Sequence, residues 1–188
     1  MGGKKLPIHL DIRNNGNYIV GMMERVYLVE DGLSYGERFV FGRMAGLSVR
    51  GTVYIMDGLS KFAQDIGISS GSLLTYLRSL ERKNLMAIGR RKMQSRTFVA
   101  DLRLRLANGR WIKVPRSFLY VGNAKVRGLL CTLVNRAKKK KTAFYLRDLL
   151  ASDVRSPKTL AKLIRFLQDE GFILIERTRP FYVVRVLL

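Results

Sequence analysis

The 188-residue chain is poor in the residues that most catalytic chemistry needs. It holds one cysteine, Cys131, and one histidine, His9. A lone cysteine excludes both a disulfide framework and a cysteine metal site. His9 has no partner that spacing identifies, so no His/Cys pairing can be argued. Carboxylates are few, 14 against 35 lysines and arginines, and scattered, so none cluster as a metal site. Gly42 and Gly46 frame no phosphate loop, because no Gly-x-x-x-x-Gly-Lys-Ser/Thr occurs. No apolar run approaches the roughly 18 residues of a membrane span. The opening Met1-Gly2-Gly3-Lys4-Lys5-Leu6-Pro7 lacks the apolar core of a secretory signal. Leu6 also stands where an N-myristoylation site wants Ser or Thr. These absences predict a protein that is not an enzyme, with no cofactor, no metal and no membrane association. They predict a cytoplasmic, nucleoid-associated location.

What the chain has in excess is positive charge on a foldable background. Hydrophobic residues make up 47% and mean hydropathy is −0.01, which is ample for packed cores. The formal net charge is +21. Residues 1–120 carry 20 Lys/Arg against 9 Asp/Glu, and residues 121–188 carry 15 against 5, so both halves are basic. One basic tail cannot produce that distribution. A field of this sign attracts polyanions, of which nucleic acid is the commonest.

The chain also repeats itself. Leu59, Ser69, Leu73, Arg78, Leu80 and Ile88 align without a gap on Leu146, Ser156, Leu160, Arg165, Leu167 and Ile175, 87 residues later. Each copy reads as helix, tight turn, helix and strand, the outline of a winged helix-turn-helix. In the first turn, Gly67 can take positive φ and Ser69 or Ser70 can cap the next helix. In the second, Ser156-Pro157 reads as N-cap and first helical position. Leu73, Leu77 and Leu80, and then Leu160, Ile164 and Leu167, recur at i, i+4, i+7 as buried stripes.

Around these motifs the expected fold class is α+β: two tandem winged helix-turn-helix units with β-wings, preceded by an N-terminal β-hairpin or arm. The boundaries are 1–34 for the arm, 35–115 for the first unit and 116–188 for the second. Residues 8–30 alternate in places around the turn signal Asn14-Asn15-Gly16-Asn17 and read as a hairpin or extended arm. Helices are expected at Tyr35–Leu47 and Ala124–Lys138, and a strand at Thr52-Val53-Tyr54-Ile55-Met56. Residues 85–91 and 96–106 read as the first wing, which Asn108-Gly109 extends through Trp111-Ile112-Lys113-Val114 into a longer β-ribbon. Residues 172–175 and Phe181–Val186 form the second wing, with its tip at 176–180. Trp111, Phe118 and Tyr120, near the seam at 115–123, read as packing residues.

With the apolar stripes inward, the opposite faces follow from 100° per residue. The first presents Gly71, Thr75, Arg78 and Arg82, flanked by Ser70, Ser72 and Ser79. The second presents Lys158, Lys162 and Arg165, flanked by Thr159. Short polar residues let a helix approach base edges, and arginine can grip guanine bidentately. The wings add Arg90, Arg91, Lys92 and Arg96, then Arg177 and Arg179, placed for phosphates or the minor groove. Lys138-Lys139-Lys140-Lys141 suits phosphate contact or plain helix-end solubility. Lys4-Lys5 is read as a charged terminus.

The run Leu59-Ser60-Lys61-Phe62-Ala63-Gln64-Asp65-Ile66-Gly67-Ile68-Ser69, followed by Leu77, Leu80, Glu81, Asn84 and Leu85, resembles the helix-turn-helix at the front of phage and plasmid replication proteins. The tandem arrangement is similar to the two winged-helix units of plasmid replication initiators, and the likeness covers about residues 35–188. One departure is Val154, which stands where the first copy has Gly67. The resemblance implies sequence-specific binding of double-stranded DNA at an origin of a plasmid, phage or virus, with replication proteins or self-association as further partners. A winged-helix transcription regulator is the alternative, although no ligand-sensing domain or dimerisation helix remains once both units are assigned. A basic structural subunit of a ribonucleoprotein is the third reading, although here the charge sits within folded elements.

Overall fold

The computed structural model describes residues 23–29, 32–55, 57–92, 98–106, 109–139, 143–178 and 181–187. In chain order these form β1 (Met23–Leu28), α1 (Tyr35–Leu47), β2 (Thr52–Ile55), α2 (Gly58–Asp65), α3 (Ser70–Arg82), β3 (Met86–Lys92), β4 (Phe98–Leu104) and β5 (Arg110–Pro115). A 3₁₀ turn at Arg116–Leu119 leads to α4 (Ala124–Lys138) and β6 (Ala143–Phe144). A second 3₁₀ turn, Leu146–Leu149, precedes α5 (Pro157–Asp169), β7 (Ile173–Thr178) and β8 (Phe181–Val186). The architecture is mixed α+β, with five α-helices and eight strands in three small sheets among the described residues. No helix among them is long and apolar enough to cross a membrane.

The order repeats. Two of the sheets are three-stranded antiparallel, ordered β2-β4-β3 and β6-β8-β7. Each follows one long helix, α1 or α4, and has α3 or α5 leading into its outer hairpin. The helices α1 and α4 lie at the centre. Ser34 and Glu37 start α1 with a reciprocal capping box, and Asn123 Oδ1 starts α4 by accepting from the Lys125 and Val126 amides. Both helices are buried almost all round, as a central helix must be. They approach so closely that a Cβ on Gly128 would overlap the Tyr35 carbonyl oxygen. One contiguous core runs from Phe39, Phe41 and Met44 through Leu129, Leu130 and Val134 to Leu160 and Leu167.

The third sheet differs from the expected ribbon. β5 does not continue the β3–β4 wing; it pairs antiparallel with β1, from Met23 opposite Pro115 to Leu28 opposite Arg110. Gly109 explains the change of path. Its amide donates to the Tyr27 hydroxyl at 3.2 Å, and any Cβ there would collide with the Tyr27 ring. The glycine thus serves a close crossing over β1 rather than a hairpin turn. β1 accordingly finds its described partner far along the chain, while residues 8–22 of the expected N-terminal hairpin lie outside the described residues.

Candidate nucleic-acid interface

The α2–α3 corner is built by glycine. Gly67, at φ +72°, ends α2 with its amide on the Gln64 carbonyl (2.9 Å), while the Ile68 amide reaches the Ala63 carbonyl (2.9 Å). That bond pair is a Schellman ending. Ser69 then caps α3, its Oγ accepting from the Ser72 amide at 3.2 Å. Leu73, Leu77 and Leu80 are buried, and the far end of α3 is fixed by Glu37 of α1. Ser79 Oγ donates to Glu37 Oε1 at 2.5 Å and Lys83 Nζ to Oε2 at 2.7 Å. Ser79 therefore does not flank the exposed face as expected; its hydroxyl is committed to the interior.

α3 leaves Gly71, Ser72, Thr75, Arg78 and Arg82 exposed, together with Leu74 and Glu81, while Ser70 is half-buried and Glu81 Oε1 accepts from the Ile88 amide at 3.3 Å. Space above Gly71 is open, since nothing lies within 4 Å of a Cβ built there. Thr75 Oγ1 turns back to the Gly71 carbonyl at 3.0 Å, and Arg82 Nε to the Arg78 carbonyl at 3.4 Å.

The second copy reproduces α3 but not α2. α5 has the same length, 13 residues, with Leu160, Ile164 and Leu167 buried and Lys158, Thr159, Lys162 and Arg165 exposed. Both helices end on a left-handed residue, Asn84 at φ +59° and Gly171 at φ +76°. The helix expected before α5 is only the 3₁₀ turn Leu146–Leu149, followed by a bridge between Ala151 and Val154. The reason lies in Val154: a β-branched residue is strained at positive φ and cannot replace Gly67 in a Schellman ending. Ser156 occupies the N-cap with Pro157 behind it, but its side chain makes no capping bond.

Of the wing residues, Arg90, Arg91 and Lys92 occupy the last three positions of β3, and Arg177 the penultimate position of β7. Arg96 and Arg179 lie outside the described residues, as do His9, Lys4-Lys5, Lys140 and Lys141. Phe118 packs as expected, edge-on to Phe172 at 5.2 Å. Trp111 packs against Tyr27 yet stays 46% exposed, and Tyr120 is 48% exposed.

The five exposed cations of α3 and α5, namely Arg78, Arg82, Lys158, Lys162 and Arg165, have no carboxylate partner among the described residues. Carboxylates there serve other cations: Glu24 pairs with Arg43, Asp65 with Lys61, Glu37 with Lys83 and Glu176 with Arg185. Unneutralised cations beside short polar side chains on a helix face can meet phosphates and base edges. Cys131 is fully buried and its thiol pushed up to about 12 by burial, so it offers no thiolate.

Three residues that position this surface are not among those expected from the sequence. Glu37 is the hub just described. Asp153 accepts from the Tyr35 and Gly36 amides (3.0 and 3.3 Å), adding a carboxylate to the N-terminus of α1. Arg127, 5% exposed, donates to carbonyls of the α2–α3 corner and of the segment before α4. Ser34-x-x-Glu37 is a capping-box signature and was available in the sequence; Asp153 and Arg127 act over distances that no local pattern encodes. No protein-family model matches the chain, and no curated protein sequence matches it.

Proposed function

We propose that the chain is a sequence-specific double-stranded DNA-binding protein made of two tandem winged helix-turn-helix units, and that it acts as an origin-binding replication initiator. The observation that carries the DNA-binding reading is the recurrence of α3 and α5. They have equal length and register, the same buried stripe, and exposed Arg78 and Arg165 at equivalent positions without carboxylate partners among the described residues. In this reading α3 and α5 enter successive major grooves, and the β3–β4 and β7–β8 hairpins lie against the backbone. The initiator role rests on the sequence resemblance of residues 59–85 and the tandem arrangement. The reading assigns no reaction to the chain and places it with the nucleoid.

Selection from random duplexes followed by a salt-titrated binding assay tests the proposal. If the two units neutralise roughly 6–10 phosphates, affinity for the selected site falls on the order of 10³–10⁵ between about 50 and 200 mM salt. A slope worth one or two phosphates, or recovery of no preferred sequence, contradicts it. Recurrence of the selected sequence as repeats beside the gene supports the initiator role over regulation of a promoter.

A further inference from the structure

The outward face of the β1–β5 ribbon shares no residue with α3 or α5 and is also basic. Arg25 stands directly opposite Lys113, both exposed, and the neighbouring cross-strand pair is Tyr27 opposite Trp111. Like charges facing each other across an antiparallel pair weaken it. A third cation is drawn to the same place: Lys138, at the end of α4, donates from Nζ to the Lys113 carbonyl at 2.8 Å. Burial, and then the charge of Lys113, lower the pKa of Lys138. None of the three has a carboxylate partner among the described residues. Beside them the Trp111 and Tyr27 rings form a T-shaped pair, centroids 5.1 Å apart at 64°, and Trp111 leaves nearly half its surface to solvent.

We propose that this face is a second nucleic-acid contact, specific for an unpaired strand, in which Trp111 stacks a base and Arg25, Lys113 and Lys138 take the flanking phosphates. An uncompensated cation cluster matches a polyanion, and an aromatic ring left nearly half exposed matches a base that is not already stacked in a duplex. A duplex offers phosphates but hides its base faces, so the aromatic ring decides between the two. The inference is independent of the roles given to α3 and α5, because it uses none of their residues.

Trp111 is the only tryptophan in the chain, so its emission reports on this face alone. Titrating the full chain with short oligothymidylate should quench that emission, whereas a blunt duplex should bind with little quenching. Trp111→Leu should weaken binding of labelled oligothymidylate about five- to 150-fold, the range for loss of one stacked base. Selected duplex should bind this variant as it binds the wild type. Lys113→Gln leaves the ring in place and covers the event that Trp111→Leu disturbs packing on Tyr27. It should weaken the same complex and lower its salt slope by about 0.7, one phosphate on a single strand. Unchanged emission at saturating oligothymidylate overturns the proposal, as does wild-type affinity in both variants. Equal quenching by blunt duplex, or quenching only by phosphatidylserine vesicles, also overturns it, the latter reassigning the face to a lipid surface.

Discussion

Five backbone carbonyl oxygens converge on the Arg127 guanidinium: Ile66 and Gly67 from the α2–α3 corner, and Tyr120, Val121 and Gly122 from the segment before α4. Gly67 is bound into the same contact, because a Cβ there would come 2.9 Å from Arg127 Nη1. Arg127 is therefore one cation of the basic total that is turned inward; it sets where α3 begins relative to α4. Arg127→Met should cost at least about 3 kcal/mol in a urea melt, since it leaves several buried acceptors unpaired. Arg127→Lys should recover little of this, because three donors on one nitrogen cannot span a fork of carbonyls. A wild-type midpoint for either variant would show that the network does not hold the corner. Glu37 makes a second test at this scale. Burial alone would raise its pKa, but the bonds from Lys83, Ser79 and Ser34 outweigh burial and hold it below the ordinary carboxylate value. A folded pKa lower than the unfolded one contributes stability that is complete above the unfolded value of about 4.3. That contribution is lost as pH falls through the lower folded value. Glu37→Gln should therefore destabilise at neutral pH and flatten the acid limb of the stability curve below about pH 4.3. An acid limb as steep as the wild type's would assign the acid sensitivity to other carboxylates.

The helices α3 and α5 were legible in the sequence because every signal that defines them is local. Their apolar stripes, the Ser69 cap, Pro157 at the first turn of α5, and the left-handed residues Asn84 and Gly171 all fall within a few positions of the helix they shape. The same holds for α1 and α4, whose apolar density matches their central position. What sequence reading assigned wrongly was non-local. The β1–β5 pairing joins segments that no periodicity connects, and Gly109 carried a turn signal while serving a close crossing over Tyr27. The missing counterpart of α2 is intermediate: Val154 was visible in place of Gly67, but its effect depends on the bridge to Ala151 that replaces the Schellman ending. The exposed faces of the two helices differ in their side chains although their backbones match, so they should read different bases. Arg78→Ala and Arg165→Ala should each cost about 1–3 kcal/mol on the selected site and relax preference at one or two base positions. Lys162→Ala should weaken all sequences about equally, as loss of a phosphate contact does. Selection with both arginine variants settles the assignment: an unchanged consensus from each would mean that α3 and α5 do not read bases.

At the scale of the whole chain, the two repeats do not behave as beads on a tether. The α1–α4 contact leaves no room for a methyl group at Gly128, and Arg38 Nη1 crosses it to Thr132 Oγ1 at 3.3 Å. Asp153 and the Leu149 carbonyl in the second repeat both bind Tyr35 in the first, through its amide and its hydroxyl. Such an interface fixes α3 relative to α5, whereas a flexible linker would let each find its half-site separately. The bound site should accordingly be two unlike half-sites at one spacing. Inserting two base pairs between them rotates one half-site around the duplex relative to the other, by about 70° at roughly 10.5 base pairs per turn. A rigid pair cannot follow that rotation, so affinity should fall toward that of a single half-site, on the order of 10²-fold or more where both contacts had acted together. Inserting a full turn restores the facing but not the distance, and should recover little. Gly128→Ala supplies the internal control: by forcing α1 and α4 apart it should cost about 1–3 kcal/mol of stability from overpacking and loosen the spacing requirement in the same variant. Equal affinity for the original and both lengthened sites in the wild-type chain would mean that one repeat alone makes the complex. The packed α1–α4 interface would then serve the fold without setting the length of the DNA site.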